Sequence, residues 1–250
     1  MLFSLFKRKS AQSAKPNGRV PAGRLVVAIG DTHGRLDLLE RLWPKIEAVA
    51  RVSAARERTL IFLGDYVDRG LQSRQLVDRL LAGFAGFETV FLKGNHDETL
   101  VQFLDDPQLG EVWRNFGGLE TLRSYGVQHK PGGDWAQARA EFAARIPDAH
   151  LKFFRSLLLH YAVGDFLFVH AGLRPGLALE HQSEHDLLWI REEFLNSTMS
   201  FGRIVVHGHT PERQPVLRPN RIGIDTGAYM TGVLTALVLE ESTQRFLSTD

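Results

Sequence analysis

The stretch "TLIFLGDYVDRG", residues 59–70, joins a short apolar run to a cluster of charged residues and glycine. An apolar run of this length that ends at a glycine is typical of a buried β-strand. In the cluster that follows it, Asp65 and Asp68 lie three residues apart, and Arg69 comes directly after the second acid. Two acids so close together, with a cation beside only one of them, predict two carboxylates with different partners.

Similar apolar runs, rich in β-branched residues, recur along the chain and predict buried strands. They are "LVVAI" (25–29), "TLIFL" (59–63), "TVFL" (89–92), "FLFV" (166–169), "IVV" (204–206) and "RIGI" (221–224), with "GVLTALVLE" (232–240) as the last. Helical spacing of leucines between the first three runs indicates consecutive βαβ units. Pro44 is expected to kink or break the first of these helices.

The chain is predicted to form a single α/β domain over residues 24–250, with a mostly helical insertion at about 98–163. Residues 10–23 are rich in Ser, Lys, Pro and Gly, and residues 1–23 are predicted to form a flexible leader. A weak membrane-surface contact through Phe3, Phe6 and 7–9 is the alternative. Since no segment approaches 18 uncharged apolar residues, we expect no membrane span and a cytoplasmic location.

The amino-acid composition limits the partners and the kinds of metal site that this chain can have. The 30 basic and 29 acidic residues of the 250 nearly balance, so we expect no nucleic-acid partner. The chain has no cysteine, which excludes disulfides, thiolate metal sites and a cysteine nucleophile. Any metal ion must therefore be bound by nitrogen and oxygen atoms.

A polar motif follows each of five predicted strands. The motifs are "GDTHG" (30–34), "GDYVDRG" (64–70), "GNHD" (94–97), "HAG" (170–172) and "HGHTP" (207–211). The carboxyl ends of parallel strands share one edge of a sheet, where ligands bind, so we expect these motifs to converge. Imidazole, carboxylate and amide ligands suit Mn, Fe, Zn or Mg and leave positions for bound water.

Taken in order, the five motifs resemble those of the phosphoprotein phosphatase family of calcineurin-like metallophosphoesterases, in particular its small bacterial and phage-type members. The resemblance runs from Gly30 to about Gly227. The eukaryotic pattern ends its third motif in Glu, where this chain has Asp97. The resemblance implies a β-sandwich flanked by helices and a metal-dependent serine/threonine phosphatase. Its substrate would be a phosphorylated protein or a small phosphoester.

The family pattern also implies the metal ligands. The first ion would be bound by Asp31, His33 and Asp65. The second would be bound by Asp65, Asn95, His170 and His209, with Asp65 bridging the two ions. We expect two divalent cations, with Mn preferred and Fe or Zn as alternatives.

The remaining roles follow from the same resemblance. It pairs Asp68 with the catalytic acid His96 and assigns Arg69 and Arg191 to phosphate binding. The implied reaction is direct in-line attack on phosphorus by a water-derived hydroxide activated between two ions, while His96 protonates the leaving group.

Other functions remain open. Hydrolysis of dinucleoside tetraphosphates is the main alternative, because bacterial enzymes of that kind share the first three motifs, whereas "GHTP" and "IDTGA" favour the protein phosphatases. A nuclease is disfavoured by Pro211, which occupies the position of a second histidine in the wider superfamily. A non-catalytic scaffold is disfavoured because His96 and all the expected ligands are present.

Several residues near these patterns are expected to be structural. His207 is not the ligand of its motif, and Asp225 is predicted to be a structural carboxylate. The histidines outside the motifs are taken as core or solvent residues, and three phenylalanines are taken as core rather than a base-stacking surface. These residues are His129, His150, His160, His181, His185, Phe84, Phe87 and Phe91.

Overall fold

The computed structural model describes residues 16–250. Its strands are β1 (Arg24–Ile29), β2 (Glu57–Phe62), β3 (Glu88–Phe91), β4 (His160–Val163), β5 (Phe166–Val169), β6 (Ile204–His207), β7 (Val216–Arg218), β8 (Arg221–Gly223), β9 (Thr235–Glu240) and β10 (Thr243–Ser248). Its α-helices are α1 (Leu36–Val52), α2 (Ser73–Leu81), α3 (Asn95–Asp105), α4 (Gly110–Asn115), α5 (Gly118–Ser124), α6 (Trp135–Arg145), α7 (Asp148–Arg155), α8 (Glu184–Trp189), α9 (Glu192–Leu195) and α10 (Ala228–Thr231).

The strands form two five-stranded mixed sheets, in the orders β10-β9-β1-β2-β3 and β4-β5-β6-β8-β7. Strands β1, β2 and β3 are parallel in the first sheet, and β5, β6 and β8 are parallel in the second. The predicted β-sandwich flanked by helices is confirmed. The strands that carry the motifs are divided between the two sheets, so the motifs meet where the carboxyl-terminal edges of both sheets come together.

The inner faces of the sheets form one apolar core. Along β1, Val26 and Ala28 point into this core, where they join Phe166 and Phe168 of β5. The alternate residues of β1, such as Val27, pack on the opposite side against the helices. Side chains of a strand alternate between faces, and both faces of β1 are buried. This explains why the strand is a continuous apolar run without polar alternation.

Helix α1 covers the outer face of the first sheet with Leu39, Leu42 and Ile46. The helix is unbroken although Pro44 lies inside it. Both Pro44 and Glu40, whose carbonyl loses its usual partner, are exposed, so water is available to that carbonyl. The expected break is therefore absent, whereas the alternative of a kink stays a prediction.

The insertion at 98–163 is mostly helical, but it ends in β4, which the sequence did not predict. Strands β7 and β10 were missed as well. All three lie at sheet edges and are partly exposed. An edge strand needs no continuous apolar run, so its local pattern is weak.

Residues 16–23, which the sequence assigned to the leader, pack on the domain. The main-chain N–H of Val20 donates to Glu241 (3.0 Å), that of Arg19 donates to Asp165 (2.8 Å), and the Val20 side chain is buried between the sheets. Residues 1–15, including the suggested membrane contact at Phe3 and Phe6, lie outside the described residues. In the described part of the chain, none of the helices has the length and apolar character needed to cross a membrane.

The core between the sheets should contribute strongly to stability. Phe168→Ala, at a fully buried position, is expected to lower the free energy of unfolding by about 3–5 kcal/mol, because a large cavity remains. Val52→Ala, at a position 81% exposed, should change it by less than about 0.5 kcal/mol. Urea unfolding followed by circular dichroism measures both. Equal midpoints for the two variants would contradict the assignment of this core.

Candidate active site

Two buried histidines are oriented by main-chain carbonyls. The Nδ1–H of His33 donates to Val67 (2.9 Å), and that of His170 donates to Leu63 (2.8 Å). Each ring therefore keeps the lone pair on Nε2. The Nε2 atoms of His33 and His170 lie 3.5 Å from the two different carboxylate oxygens of Asp65. Asp65 thus lies between a histidine of the first sheet and one of the second.

Asn95 completes the half of the cluster near His170. Its Oδ1 lies 2.9 Å from Nε2 of His170 and 2.9 Å from Nδ1 of His209. The Nε2 of His170 and the Oδ1 of Asn95 are both acceptors, so this close approach brings two lone pairs together. A cation between such atoms would convert the repulsion into coordination.

Asp31 brings the loop after β1 against the loop after β6. One carboxylate oxygen, Oδ2, accepts from the main-chain N–H of His209 at 2.9 Å. The other, Oδ1, is buried and has no hydrogen-bond partner within residues 16–250, and the same holds for Nε2 of His209. A buried polar atom without a hydrogen-bond partner destabilises the folded protein, so a cation bound at Oδ1 of Asp31 would also be stabilising.

The electrostatics of the cluster favour metal binding. Burial lowers the pKa of His33 to about 3 and that of His209 to about 2, and it also lowers that of His170. These rings are therefore neutral at pH 7, which is the form that binds metals. Burial raises the pKa of Asp31, and the negative charges of Asp225 and Asp65 raise it further. Burial opposes the ionisation of Asp65, but the surrounding imidazoles outweigh it, so its pKa is lowered.

Two groups of side chains within residues 16–250 have the geometry to hold an ion. Within each group the candidate ligand atoms lie within 4.8 Å of one another. The groups are His33, Asp65 and His96, and Asp65, His170 and His209. They share Asp65, the predicted bridge. In the first group His96 appears in place of the predicted ligand Asp31.

His96 is oriented by Asp68. The His96 Nδ1 and the Asp68 Oδ2 are 2.7 Å apart, which leaves Nε2 directed to the cluster, 3.9 Å from Asp65 Oδ2. Asp68 is fully buried and also accepts from Nε1 of Trp113 (3.0 Å) and Oγ1 of Thr121 (2.7 Å). Burial lowers the pKa of His96, but the carboxylates of Asp65 and Asp68 outweigh it, so the net shift is upward.

Two guanidinium groups lie at the cluster. Arg69 donates from Nη1 to Nε2 of His33 (3.0 Å), and its Cζ lies 4.4 Å from the centre of the Tyr229 ring. Arg191 is exposed and donates to Oγ1 of Thr210 at 3.3 Å. In the part of the chain that the structure describes, neither guanidinium forms an ion pair with a carboxylate. Both therefore keep donors for an anionic ligand.

The sequence pattern of the calcineurin-like phosphoesterase family matches residues 25–231, which include all five motifs. The chain belongs to the calcineurin-like phosphoesterases. Members of this family use divalent metal ions, in agreement with the two groups of ligands around Asp65.

A curated relative of this phosphoesterase comes from Anoxybacillus flavithermus and is named bis(5′-nucleosyl)-tetraphosphatase PrpE [asymmetrical]. The two are 28% identical over 230 residues, which cover 84% of this chain and 88% of the relative. The expectation of a metallophosphoesterase hydrolase is confirmed, and the relative carries the activity that the sequence analysis held as its alternative.

Solved structures of the same fold differ in their described activities. One is provisionally assigned as a diadenosine tetraphosphatase, with a TM-score of 0.63 and 22% identity, covering 94% of this chain and 98% of that one. Another is a protein serine/threonine phosphatase from Saccharomyces cerevisiae, with a TM-score of 0.54 and 15% identity, covering 93% and 84%. The fold of this phosphoesterase therefore does not select the substrate.

The backbone of the phosphoesterase is strained around Asp65. Within residues 16–250, the non-glycine residues at positive φ are, with one exception at Glu241, residues of the site. They are His33 (42°), Asp65 (54°), Asp68 (71°), Arg69 (68°) and His209 (64°). Each such conformation costs on the order of 1–3 kcal/mol and persists only where the surroundings enforce it.

Close approaches between the motif loops exclude side chains at two glycines. A Cβ at Gly208 would lie 2.0 Å from Oδ1 of Asp31. Gly64 has a φ of 103°, and a Cβ there would lie 2.5 Å from the main-chain nitrogen of Gly94. Glycine at these positions lets the loops approach the cluster.

Asp97 helps to position the loops of the site, although its sequence position indicated only a departure from the eukaryotic pattern. Its carboxylate accepts three main-chain N–H groups, from Gly94 (2.9 Å), Asp65 (2.8 Å) and Tyr66 (3.0 Å). It therefore ties the loop after β2 to the loop after β3. Trp113 and Thr121, the partners of Asp68, were missed altogether because they belong to no motif.

Residues expected to be structural have partners outside the cluster. His207 donates from Nδ1 to the carbonyl of Gly208 (3.1 Å) and accepts from Arg221 (3.2 Å), so neither ring nitrogen faces Asp65. His150 lies between Tyr125 (2.8 Å) and Asp78 (2.9 Å).

Asp225 is buried close to Asp31, whose pKa its charge raises. One oxygen of Asp225 accepts from the main-chain N–H of Gly227 at 2.8 Å. Burial raises the pKa of Asp225 to about 6. Its expected structural role stays a prediction.

Asp97→Asn should destabilise the protein. The amide replaces one acceptor oxygen, so at least one of the three N–H groups loses its partner, at a cost of about 1–3 kcal/mol. Asp105→Asn removes an exposed carboxylate paired with Arg155 at 3.5 Å and should cost at most about 1 kcal/mol. Chemical denaturation of the metal-free proteins measures both. If Asp97→Asn is as stable as the parent, the carboxylate is not needed to hold the two loops.

Proposed function

We propose that this phosphoesterase is a metal-dependent hydrolase of dinucleoside tetraphosphates that cuts the phosphate chain asymmetrically. The observation that carries the hydrolase part is the buried cluster around Asp65, flanked by the guanidiniums of Arg69 and Arg191, which form no ion pair within residues 16–250. The substrate is supported by the curated relative, which matches this chain over most of both lengths and bears that name. Asymmetric cutting would release a nucleoside monophosphate and a nucleoside triphosphate.

In this proposal the cluster would bind two ions. Asp31, His33 and Asp65 would hold the first ion, and Asp65, Asn95, His170 and His209 would hold the second. Once bound, the divalent ions would supply positive charge at phosphorus and lower the pKa of a water molecule. Manganese is the ion that we propose, with iron or zinc as alternatives, because the donors are all nitrogen and oxygen.

The protein's own groups then bind the phosphoryl group and move a proton. The guanidiniums of Arg69 and Arg191 are placed to donate to phosphoryl oxygens, and their planar forks match that geometry. His96 presents Nε2 to the cluster, while Asp68 holds Nδ1 and favours the protonated ring. His96 is therefore the group that we assign as the proton donor to the leaving oxygen.

A serine/threonine protein phosphatase is the second candidate. The segments "GHTP" (208–211) and "IDTGA" (224–228) favour it, because they are similar to the protein-phosphatase pattern. The leaving group separates the two candidates chemically. A serine alkoxide needs a proton as it departs, whereas a phosphate chain leaves readily as an anion.

Substrate preference should be tested on protein stripped of metal and then reloaded with Mn²⁺. We expect no activity after chelation, recovery with Mn²⁺, and a higher kcat/KM for diadenosine tetraphosphate than for a phosphoserine peptide or a bis-aryl phosphodiester. Chromatography should show AMP and ATP in equal amounts. Two ADP molecules would contradict asymmetric cutting, and a faster reaction with the peptide would select the second candidate.

The two acids of the loop at residues 64–70 should behave differently when neutralised. Asp65→Asn is expected to lower metal content and turnover together, because the shared carboxylate is lost. His96→Asn should keep near-normal metal content while kcat with a phosphoserine peptide falls by ~10²–10⁴, the usual worth of general acid catalysis. Its loss with diadenosine tetraphosphate should be smaller, since that leaving group needs little protonation.

Asp68→Asn is the matched control for Asp65→Asn, because it changes the same side chain three positions away. It should resemble His96→Asn, with the metal retained. Metal analysis together with steady-state kinetics distinguishes a metal ligand from a residue that only positions or supplies the proton. Loss of one metal equivalent in His96→Asn would show that this histidine is a ligand and not the acid.

A further inference from the structure

A cavity of about 400 Å³ opens beside the cluster. Its walls come from the end of α9, the loop after β6, and the hairpin of β7 and β8. Thr210 lines it and also accepts from Arg191 at 3.3 Å, so the cavity begins beside a proposed phosphate-binding arginine. Cavities of roughly 300–1,000 Å³ are typical of small-molecule sites. Nothing in the proposed chemistry at Asp65 uses this space.

A buried guanidinium that forms no ion pair within residues 16–250 lies in one wall. Arg221 is only 6% exposed and donates to Nε2 of His207 (3.2 Å) and to the carbonyl of Leu195 (3.0 Å). Both partners are neutral, since the Nδ1–H of His207 is used by Gly208. The Nε of Arg221 is buried and unpartnered within residues 16–250, and no carboxylate there forms an ion pair with the group. The carboxylate of Glu212, which also lines the cavity, offsets the cost of this buried charge only in part, because burial and the neighbouring charge of Arg218 still lower the pKa of Arg221. An anion in the cavity would therefore stabilise the guanidinium further.

Arg218 adds a second cation to the same wall. It is the direct cross-strand partner of Arg221 in the antiparallel pair of β7 and β8, and both side chains line the cavity. Like charges directly opposite each other on two strands are destabilising. A phosphate between the two guanidiniums would offset that repulsion and accept from both.

The other walls suit the rest of a nucleotide. Glu212 and Asn196 supply oxygen acceptors for hydroxyl or amino groups, and Leu195 and Val216 supply apolar surface for a flat ring. Carboxylates commonly accept from ribose hydroxyls in nucleotide sites.

We propose that this cavity binds the remote nucleotide unit of a dinucleoside polyphosphate, with its phosphate on Arg218 and Arg221. The inference rests on the proposed function, because a dinucleoside polyphosphate carries a second phosphorylated nucleotide unit that can extend past Arg191 and Thr210 into the cavity. A simple monoester occupies the cluster alone. The cavity therefore selects for polyphosphates over monoesters.

Arg218→Ala tests this with little risk to folding, because Arg218 is exposed. In the Mn-loaded protein, the ratio of kcat/KM for diadenosine tetraphosphate to that for an aryl monophosphate should fall about tenfold, the worth of one charged phosphate contact. Arg218→Lys should recover part of the ratio. Arg245→Ala removes an exposed arginine from β10 of the other sheet and should leave the ratio unchanged. An unchanged ratio in Arg218→Ala would overturn the proposal.

Inhibition by ADP separates failure of this inference from failure of the proposed function. ADP should inhibit aryl phosphate hydrolysis competitively, and Arg218→Ala should weaken that inhibition about tenfold while Arg245→Ala does not. If the parent protein does not hydrolyse diadenosine tetraphosphate but shows this weakening, the function fails and the nucleotide site stands. If ADP inhibits the parent and Arg218→Ala equally, the site is refuted whatever the substrate is.

Discussion

Asp65 is hydrogen-bonded to two neighbouring motif loops, residues 30–34 and 94–97, through its main chain and its carboxylate. Its N–H donates to Asp97 (2.8 Å), its carbonyl accepts from His33 (2.8 Å), and its carboxylate accepts from the N–H of His96 (3.0 Å). The carboxylate also faces Nε2 of His170, from the second sheet, at 3.5 Å. The carboxyl-terminal edges of the two sheets thus meet at a group of electron-pair donors. A cation bound between these donors would link the two sheets.

The positive φ values around Asp65 follow from the convergence of several loops on this one carboxylate. Several side chains must point into a small volume from loops that leave two different sheets. Left-handed residues turn the chain sharply enough to achieve this, at a cost of ~1–3 kcal/mol each. The compensation lies in buried hydrogen bonds around the cluster, such as the three that Asp97 accepts and those that Trp113 and Thr121 donate to Asp68. Stability and catalytic geometry are therefore coupled in this protein.

Selectivity for substrate has to come from outside the cluster. Solved structures of this fold are described as a provisionally assigned diadenosine tetraphosphatase and as a protein serine/threonine phosphatase, so the fold by itself does not select the substrate. What differs is the surface that meets the remainder of the substrate. In this chain the surface beside Arg191 leads to a cavity lined by two adjacent guanidiniums, Arg218 and Arg221, to which we have assigned the second nucleotide unit as a proposal.

The sequence by itself determined the long strands, the helices between them and the motif residues, because these depend on local patterns. A buried strand is a continuous apolar run, and each motif follows such a run directly. Tertiary structure alone decided the division of the strands between two sheets, the edge strands β4, β7 and β10, and the burial of residues 16–23. It also decided the roles of Asp97, Trp113 and Arg221. The hydrogen-bond partners of these residues lie up to 45 positions away in the chain, and the role of Arg221 depends on its burial. Pairings of that kind leave no periodic pattern, since burial and hydrogen bonding are set by residues distant in sequence.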